Sequence, residues 1–191
     1  MPARPNYPKL RRRHPAFLSA LTLASASLFA AGPSHADVYY SGGLTSAKHT
    51  WYRPNYNSAW NAALATAESA WNAVPEVAFR RVSTKTPATP STITVASYTA
   101  SWYGLYTPRE QHTSYYSGRY FNVSINSRTI SKDSKNFNGF VRSVTVHELG
   151  HALSLGDNPP TSAPSIMKYS RDRNTLITHT HYDRANVSRR Y

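Results

Sequence analysis

Val144-Thr145-Val146-His147-Glu148-Leu149-Gly150-His151-Ala152-Leu153-Ser154-Leu155-Gly156-Asp157 is the stretch around which the remaining sequence arranges itself. On a helix, His147 and His151 stand one turn apart on the same face, the separation at which two imidazoles reach one zinc ion. Glu148 then lies beside the metal, poorly placed to ligate it but well placed to take a proton from a water held there. Val141, Val144, Val146, Leu149, Ala152 and Leu153 surround much of this helix, so it is expected to be buried on several sides. The spacing predicts a start near Asn138 to Phe140. Two buried imidazoles flanking a buried carboxylate are costly unless something pairs them, and a metal does so directly.

Working outward, the helix is followed by Gly156-Asp157-Asn158-Pro159-Pro160 and then by Ser165-Ile166-Met167-Lys168-Tyr169. No glutamate follows Glu148, which removes a glutamate third ligand. Asp157, Asp172, His179, His181 and Asp183 remain open for that role. The pair His179 and His181 reads equally as exposed or loosely structured residues before a closing helix over Asp183 to Arg190.

Over Val144 to Tyr169 the order of residues resembles the metzincin zinc endopeptidases. Their extended pattern is His-Glu-x-x-His-x-x-Gly-x-x-His or Asp, followed by a tight turn that sets a methionine under the metal. The aspartate variant is characteristic of small secreted proteases of snapalysin type, and His-Glu-Leu-Gly-His-Ala-Leu also looks like matrixins. The resemblance implies His147, His151 and Asp157 as ligands of one catalytic Zn2+ and Glu148 as general base. It further implies Tyr169 as a hydroxyl that can approach the developing oxyanion, and Met167 as a packing residue beneath the site. One position departs from the pattern: Ser154 stands where the family has its turning glycine, and Gly156 comes two residues later. Because serine adopts a positive φ only at a cost of about 1 kcal/mol, the helix is expected to run on to about Leu155 and be capped at Gly156.

Upstream, Val38 to His49 is short, polar and rich in serine and glycine, and reads as a loose leading segment. Thr50-Trp51-Tyr52-Arg53 reads as a first strand stopped by Pro54. Asn57 or Ser58 can cap a helix to about Asn72, with Trp60, Ala63, Leu64, Ala67 and Trp71 at helical spacing. Val77 to Val82, Ile93 to Tyr98 and Tyr120 to Asn126 read as further strands, and Ser83 to Pro90 as a loop. Thr99 to Gly118 has no clean period, so a long loop or an irregular edge strand over the cleft is expected. Its aromatics, Trp102, Tyr103, Tyr106, Tyr115 and Tyr116, can line a substrate groove or cover the sheet. Ser127 to Asn138 reads as a polar connection.

Together with the resemblance, this order implies an α/β or α+β fold. Its parts are a twisted, mixed sheet of four to five strands, a backing helix, a zinc-binding helix, a methionine turn and a C-terminal helix. An extended peptide can pair with an exposed edge strand of such a sheet, which suits an endopeptidase.

Residues 1–36 open with Arg4, Lys9, Arg11, Arg12 and Arg13, continue through an apolar run from Ala16 to Ala31, and close on Pro33-Ser34-His35-Ala36. That is the pattern of a secretory signal peptide cut after Ala36, leaving residues 37–191 as one catalytic domain, secreted and extracellular. Only about a dozen residues separate that point from the first expected strand, so no sizeable propeptide is expected. Losing the five leader cations takes the formal charge from +13 to +8, which favours non-specific attraction to acidic surfaces. The absence of cysteine excludes a thiol ligand, a thiol nucleophile and an inhibitory thiolate held on a metal. Protein or peptide substrates, a monomeric state, no specific nucleic-acid partner and no membrane association after leader removal are expected. No pattern in the sequence indicates Ca2+, although a secreted enzyme can carry it. The competing reading is a basic, aromatic-rich module that binds extracellular polymer around a structural zinc, which requires a closed set of protein ligands.

Overall fold

Lys48–Tyr52 forms β1, ended by Pro54, whose missing N–H cannot continue a ladder. This computed structural model describes residues 38–191, so the leader read in residues 1–36 lies outside the described residues. β2 (Ala78–Val82), β3 (Thr92–Ala96), β4 (Gly104–His112) and β5 (Ser117–Asn126) join β1 in one five-stranded sheet of order β2-β1-β3-β5-β4. The β1–β2, β1–β3 and β3–β5 pairs are parallel, whereas β4 runs antiparallel to β5 and leaves one edge unpaired. The architecture is α+β with a mixed sheet.

β4 is a regular edge strand, in register with β5 from Gly104 opposite Ile125 to His112 opposite Ser117. Neither a long loop nor an irregular strand fills this region. Its alternation was illegible because Tyr106 is the one buried side chain in nine residues, and because Pro108 is tolerated where the strand has no outer neighbour.

Asparagines start three of the helices. In α1 (Ser58–Ala70) Asn57 Oδ1 accepts from Trp60 N at 3.2 Å, and a short 3-10 turn over Trp71–Ala73 follows. In α3 (Phe137–Ala152) Asn136 Oδ1 accepts from Gly139 N at 3.0 Å. Between them lies α2 (Ser127–Asp133), capped by Asn126, in the stretch read as a polar connection. Thr129 and Ile130 are its buried residues, too few among Ser, Arg, Lys and Asp to produce a period. The chain closes with α4 (His181–Arg190), begun by a reciprocal capping box between Thr180 and Asp183.

The core lies between the sheet and the pair α1 and α3. Trp51, Trp71, Ile93, Phe121 and Ile125 are 0% exposed there. Trp71 Nε1 donates to Val146 O at 3.0 Å, tying the end of α1 to the middle of α3. Arg53 and Glu68, both buried, pair at 2.5 Å and join the end of β1 to α1. No helix among the described residues is long and apolar enough to cross a membrane.

The leading segment is not loose. Tyr40 N donates to Ser154 O at 2.7 Å, Leu44 N to Ala152 O at 2.8 Å and Gly156 N to Val38 O at 2.8 Å, so it runs along the turn after α3. Gly43 makes that approach possible. A Cβ on Gly43 would lie 2.2 Å from Ser154 Oγ and 2.5 Å from Ser154 Cα.

Candidate metal centre

α3 ends at Ala152 and does not run on to Leu155, because Ser154 takes the left-handed conformation itself, with φ 64°. Leu155 N donates to Gly150 O at 2.9 Å and Ser154 N to His151 O at 3.0 Å, the two bonds of a Schellman cap with serine in the place glycine usually occupies. The strain of about 1 kcal/mol is offset locally. Ser154 Oγ hydrogen-bonds Tyr191 Oη at 3.0 Å, and the leading segment holds the Ser154 carbonyl. This turn sends the chain back towards the histidines and delivers Asp157 beside them.

His147, His151 and Asp157 each offer one ligand atom, all within 4.8 Å of one another. Asp157 Oδ1 lies 3.2 Å from His147 Nε2 and 3.5 Å from His151 Nε2. Both rings have their other nitrogen on a carbonyl: His147 Nδ1 donates to Ile166 O at 3.0 Å, and His151 Nδ1 to Leu155 O at 2.9 Å. A carbonyl can only accept, so both Nδ1 atoms carry the proton and both neutral rings present an Nε2 lone pair. Burial favours that neutral form, holding His147 down to about 4 and His151 below its ordinary value. Burial opposes ionisation of Asp157, but His147, His151 and the Tyr169 hydroxyl outweigh it and bring the carboxyl down to about 2.

Three lone-pair donors therefore converge with no proton among them. Asp157 Oδ1 is buried and has no hydrogen-bond partner. Such an orphaned acceptor is costly unless a cation sits between the three. A tetrahedral ion with ligands at roughly 2.0–2.2 Å requires ligand atoms about 3.3–3.6 Å apart, close to the two carboxylate–imidazole spacings here. The donor set fits zinc, and all three residues line the cavity.

Glu148 is buried next to His147 and lines the same cavity, of about 420 Å³. Burial, followed by the charge of Asp157, pushes its carboxyl up to about 8. The start of β4 presses against it: a Cβ on Gly104 would lie 2.5 Å from Glu148 Oε1. The sheet edge and the carboxylate are thus in contact, with the unpaired strand at the cavity mouth.

The turn carrying Met167 is built from below by Asp183. Its carboxylate accepts from Ser165 Oγ at 2.5 Å, Ile166 N at 2.9 Å and Thr180 N at 2.7 Å. Ile166 O is thereby positioned for His147 Nδ1. Met167 itself is 1% exposed. Tyr169 has its hydroxyl on Asp157 Oδ2 at 2.7 Å, which turns Oδ1 towards the imidazoles. The resemblance implied a hydroxyl over the reacting carbonyl; in this structure it bonds the carboxylate beside it.

The other third-ligand candidates lie elsewhere. His179 Nε2 bonds Ala70 O at 2.9 Å, with its ring tilted against Trp71. Asp183 serves the turn and the cap, Asp172 accepts from the Asn174 backbone at 2.8 Å, and His181 opens α4. Three of the five aromatics take the groove-lining role, and the Tyr116 hydroxyl donates to Arg119 O. Trp102, Tyr103 and Tyr106 line the cavity, whereas Tyr115 is exposed between β4 and β5.

Four contributors carry no such signal in the sequence. Tyr40 sets its ring edge-on to His151 at 5.5 Å. Asn126, 0% exposed, gives Nδ2 to Ala100 O and Trp102 O and accepts from Tyr98 N and Arg128 N, fixing the loop that carries Trp102. Arg171 and Arg173 also reach the cavity. Neither a motif nor a period marks any of these; the nearest signal was Asn126 standing directly before a helix.

No family model and no curated protein matches the sequence. Among solved structures, the chain is similar to high choriolytic enzyme 1, a hatching-enzyme zinc protease of the medaka fish Oryzias latipes. Identity is 15%, the match covers 79% of this chain and 92% of that one, and the TM-score is 0.44. It is also similar to myroilysin, at 13% identity over 79% of this chain and 82% of that one, with a TM-score of 0.49. At that level of likeness the functional reading rests on the residues of the site itself.

Proposed function

We propose that the protein is a secreted, zinc-dependent endopeptidase of metzincin type, in which His147, His151 and Asp157 hold the ion and Glu148 is the general base. The observation that carries this reading is the convergence of two Nε2 lone pairs and the orphaned Asp157 Oδ1 beside a cavity lined by a buried glutamate. Zinc, when bound, supplies a Lewis acid for the peptide carbonyl and a water acidic enough to attack near neutral pH.

The chain's own residues do the rest. The backbone carbonyls of Ile166 and Leu155 fix the ring orientations of the two histidines, so the ligand atoms are preorganised. Glu148 takes the proton of the attacking water at its carboxylate and returns it to the leaving amine. Its burial keeps it basic enough for that exchange, and a cation held by His147, His151 and Asp157 would favour its ionised form. The unpaired edge of β4 accepts an extended peptide by backbone pairing, which brings a scissile carbonyl to Glu148 at the strand's first residue. Tyr169 orients Asp157 and, on leaving it, can donate to the oxygen that gains charge.

Three candidate ligands lining an open cavity favour this reading over a structural zinc in a polymer-binding module, which needs a closed set of protein ligands. Secretion is supported by the leader-like composition of residues 1–36. Removing the metal tests the reading: a chelator should abolish casein hydrolysis, and stoichiometric zinc should restore it. Hydrolysis that persists in metal-free protein would exclude it.

A further inference from the structure

The cavity that holds Glu148 is also lined by two arginines, Arg171 and Arg173, two residues beyond Tyr169 and two beyond that. Neither forms an ion pair with a carboxylate among the described residues. Arg171 is held from behind: Nε donates to Ser143 Oγ at 3.2 Å and Nη1 to Lys168 O at 2.8 Å. Among the described residues its Nη2 has no acceptor and Arg173 makes no hydrogen bond. The Arg173 guanidinium lies over the Tyr103 ring, 5.0 Å from the centroid. That ring is fixed in turn, because its hydroxyl donates to Asp133 Oδ2 at 2.9 Å.

Charge balance gives the pair a purpose. The acids lining the cavity are Glu148 and Asp157. A dication held by His147, His151 and Asp157 neutralises those two charges and leaves two guanidinium ions uncompensated in a partly dehydrated cleft. Burial, then the charge of Arg173, brings Arg171 down to about 10, while Glu148, Asp157 and Asp183 act in the opposite direction. Unpaired, preorganised guanidinium groups at a water-poor surface bind carboxylates by charge-assisted, often bidentate hydrogen bonds. Apolar side chains leave them unsatisfied, so the same pair discriminates against such residues.

We propose that Arg171 and Arg173 form a carboxylate-recognising subsite, which selects substrates with a carboxylate beside the scissile bond, on an acidic side chain or at the chain end. This rests on the endopeptidase reading.

The test uses the zinc-loaded enzyme and internally quenched peptides, amidated at the C-terminus, that differ only in Glu or Gln beside the cut; mass analysis of products places the cut. Wild type should show a Glu-to-Gln ratio of kcat/KM of about 10 or more. Arg173→Glu should bring that ratio to one or below, and Arg173→Lys should keep part of it. A Gln peptide with a free C-terminus close to the cut, compared with its amidated twin, identifies the chain end as the source if the free form is favoured and Glu is not. Equal cleavage within every pair by an active wild type overturns the subsite and leaves the peptidase intact. An unchanged Glu-to-Gln ratio in Arg173→Glu also overturns it. Zinc-loaded protein that cuts no peptide removes the endopeptidase reading and the subsite with it.

Discussion

Ser154 holds a left-handed backbone that glycine adopts more readily, and the path to Asp157 depends on it. Local strain of this kind persists where the surroundings over-determine the conformation. Here the surroundings are Tyr40 and Tyr191, which bond its carbonyl and hydroxyl, and Gly43, which lies against its backbone. A methyl on Gly43 meets the Cα and N of Ser154, atoms that cannot move aside without moving the turn. Gly43→Ala should therefore lose about 1–3 kcal/mol by urea unfolding and weaken zinc retention, because the displaced turn carries Asp157. A wild-type midpoint in urea would show that the segment is not packed as described. At this scale His147, Glu148 and His151 were legible because they lie within one helical turn. Asp157 was legible only through its offset in a known pattern. Arg171 and Arg173 were not, since an arginine pair in sequence does not reveal whether a carboxylate meets it in space.

Elements were read well where one face is buried and poorly where little is. α1 and α3 carry long apolar stripes, and their ends follow asparagine caps at Asn57 and Asn136. α2 buries two residues, so its sequence reads as a connection; β4 buries one, so its sequence reads as a loop or an irregular edge. The turn beneath the site is an element built around a single carboxylate. Asp183 caps α4 and holds Ser165 and Ile166, so that one side chain couples the terminal helix to the ring of His147. Asp183→Ala should cost about 2–4 kcal/mol, because a cap is lost and buried donors are left unpaired. The same variant should release zinc to a chelator faster than wild type. An unaltered unfolding midpoint together with unaltered release would separate Asp183 from the site.

Across the whole molecule, the parallel β1–β2 pair requires a crossover, which α1 supplies, α3 follows the last strand, and β4 pairs antiparallel to β5 with its outer edge at the cavity. The strands could be found one at a time, but their order could not, because register and neighbours depend on contacts far apart in sequence. One buried pair ties the first half together. Arg53 and Glu68 are 1% and 6% exposed, and Glu68→Ala leaves an unpaired guanidinium in the core. That variant should lose about 3–5 kcal/mol in chemical unfolding. Replacing both residues by apolar ones of similar volume should recover much of the loss, and a double variant as unstable as the single one would contradict that.

In the proposed enzyme His147, His151 and Asp157 hold zinc and Glu148 moves the proton. Zinc content and casein hydrolysis should be measured side by side in wild type, Glu148→Ala and Asp157→Ala. Zinc should stay in Glu148→Ala while hydrolysis falls by about 100-fold or more. Both zinc and hydrolysis should fall in Asp157→Ala. Wild-type protein that binds zinc and cuts nothing, or a Glu148→Ala variant that still cuts, would contradict the account.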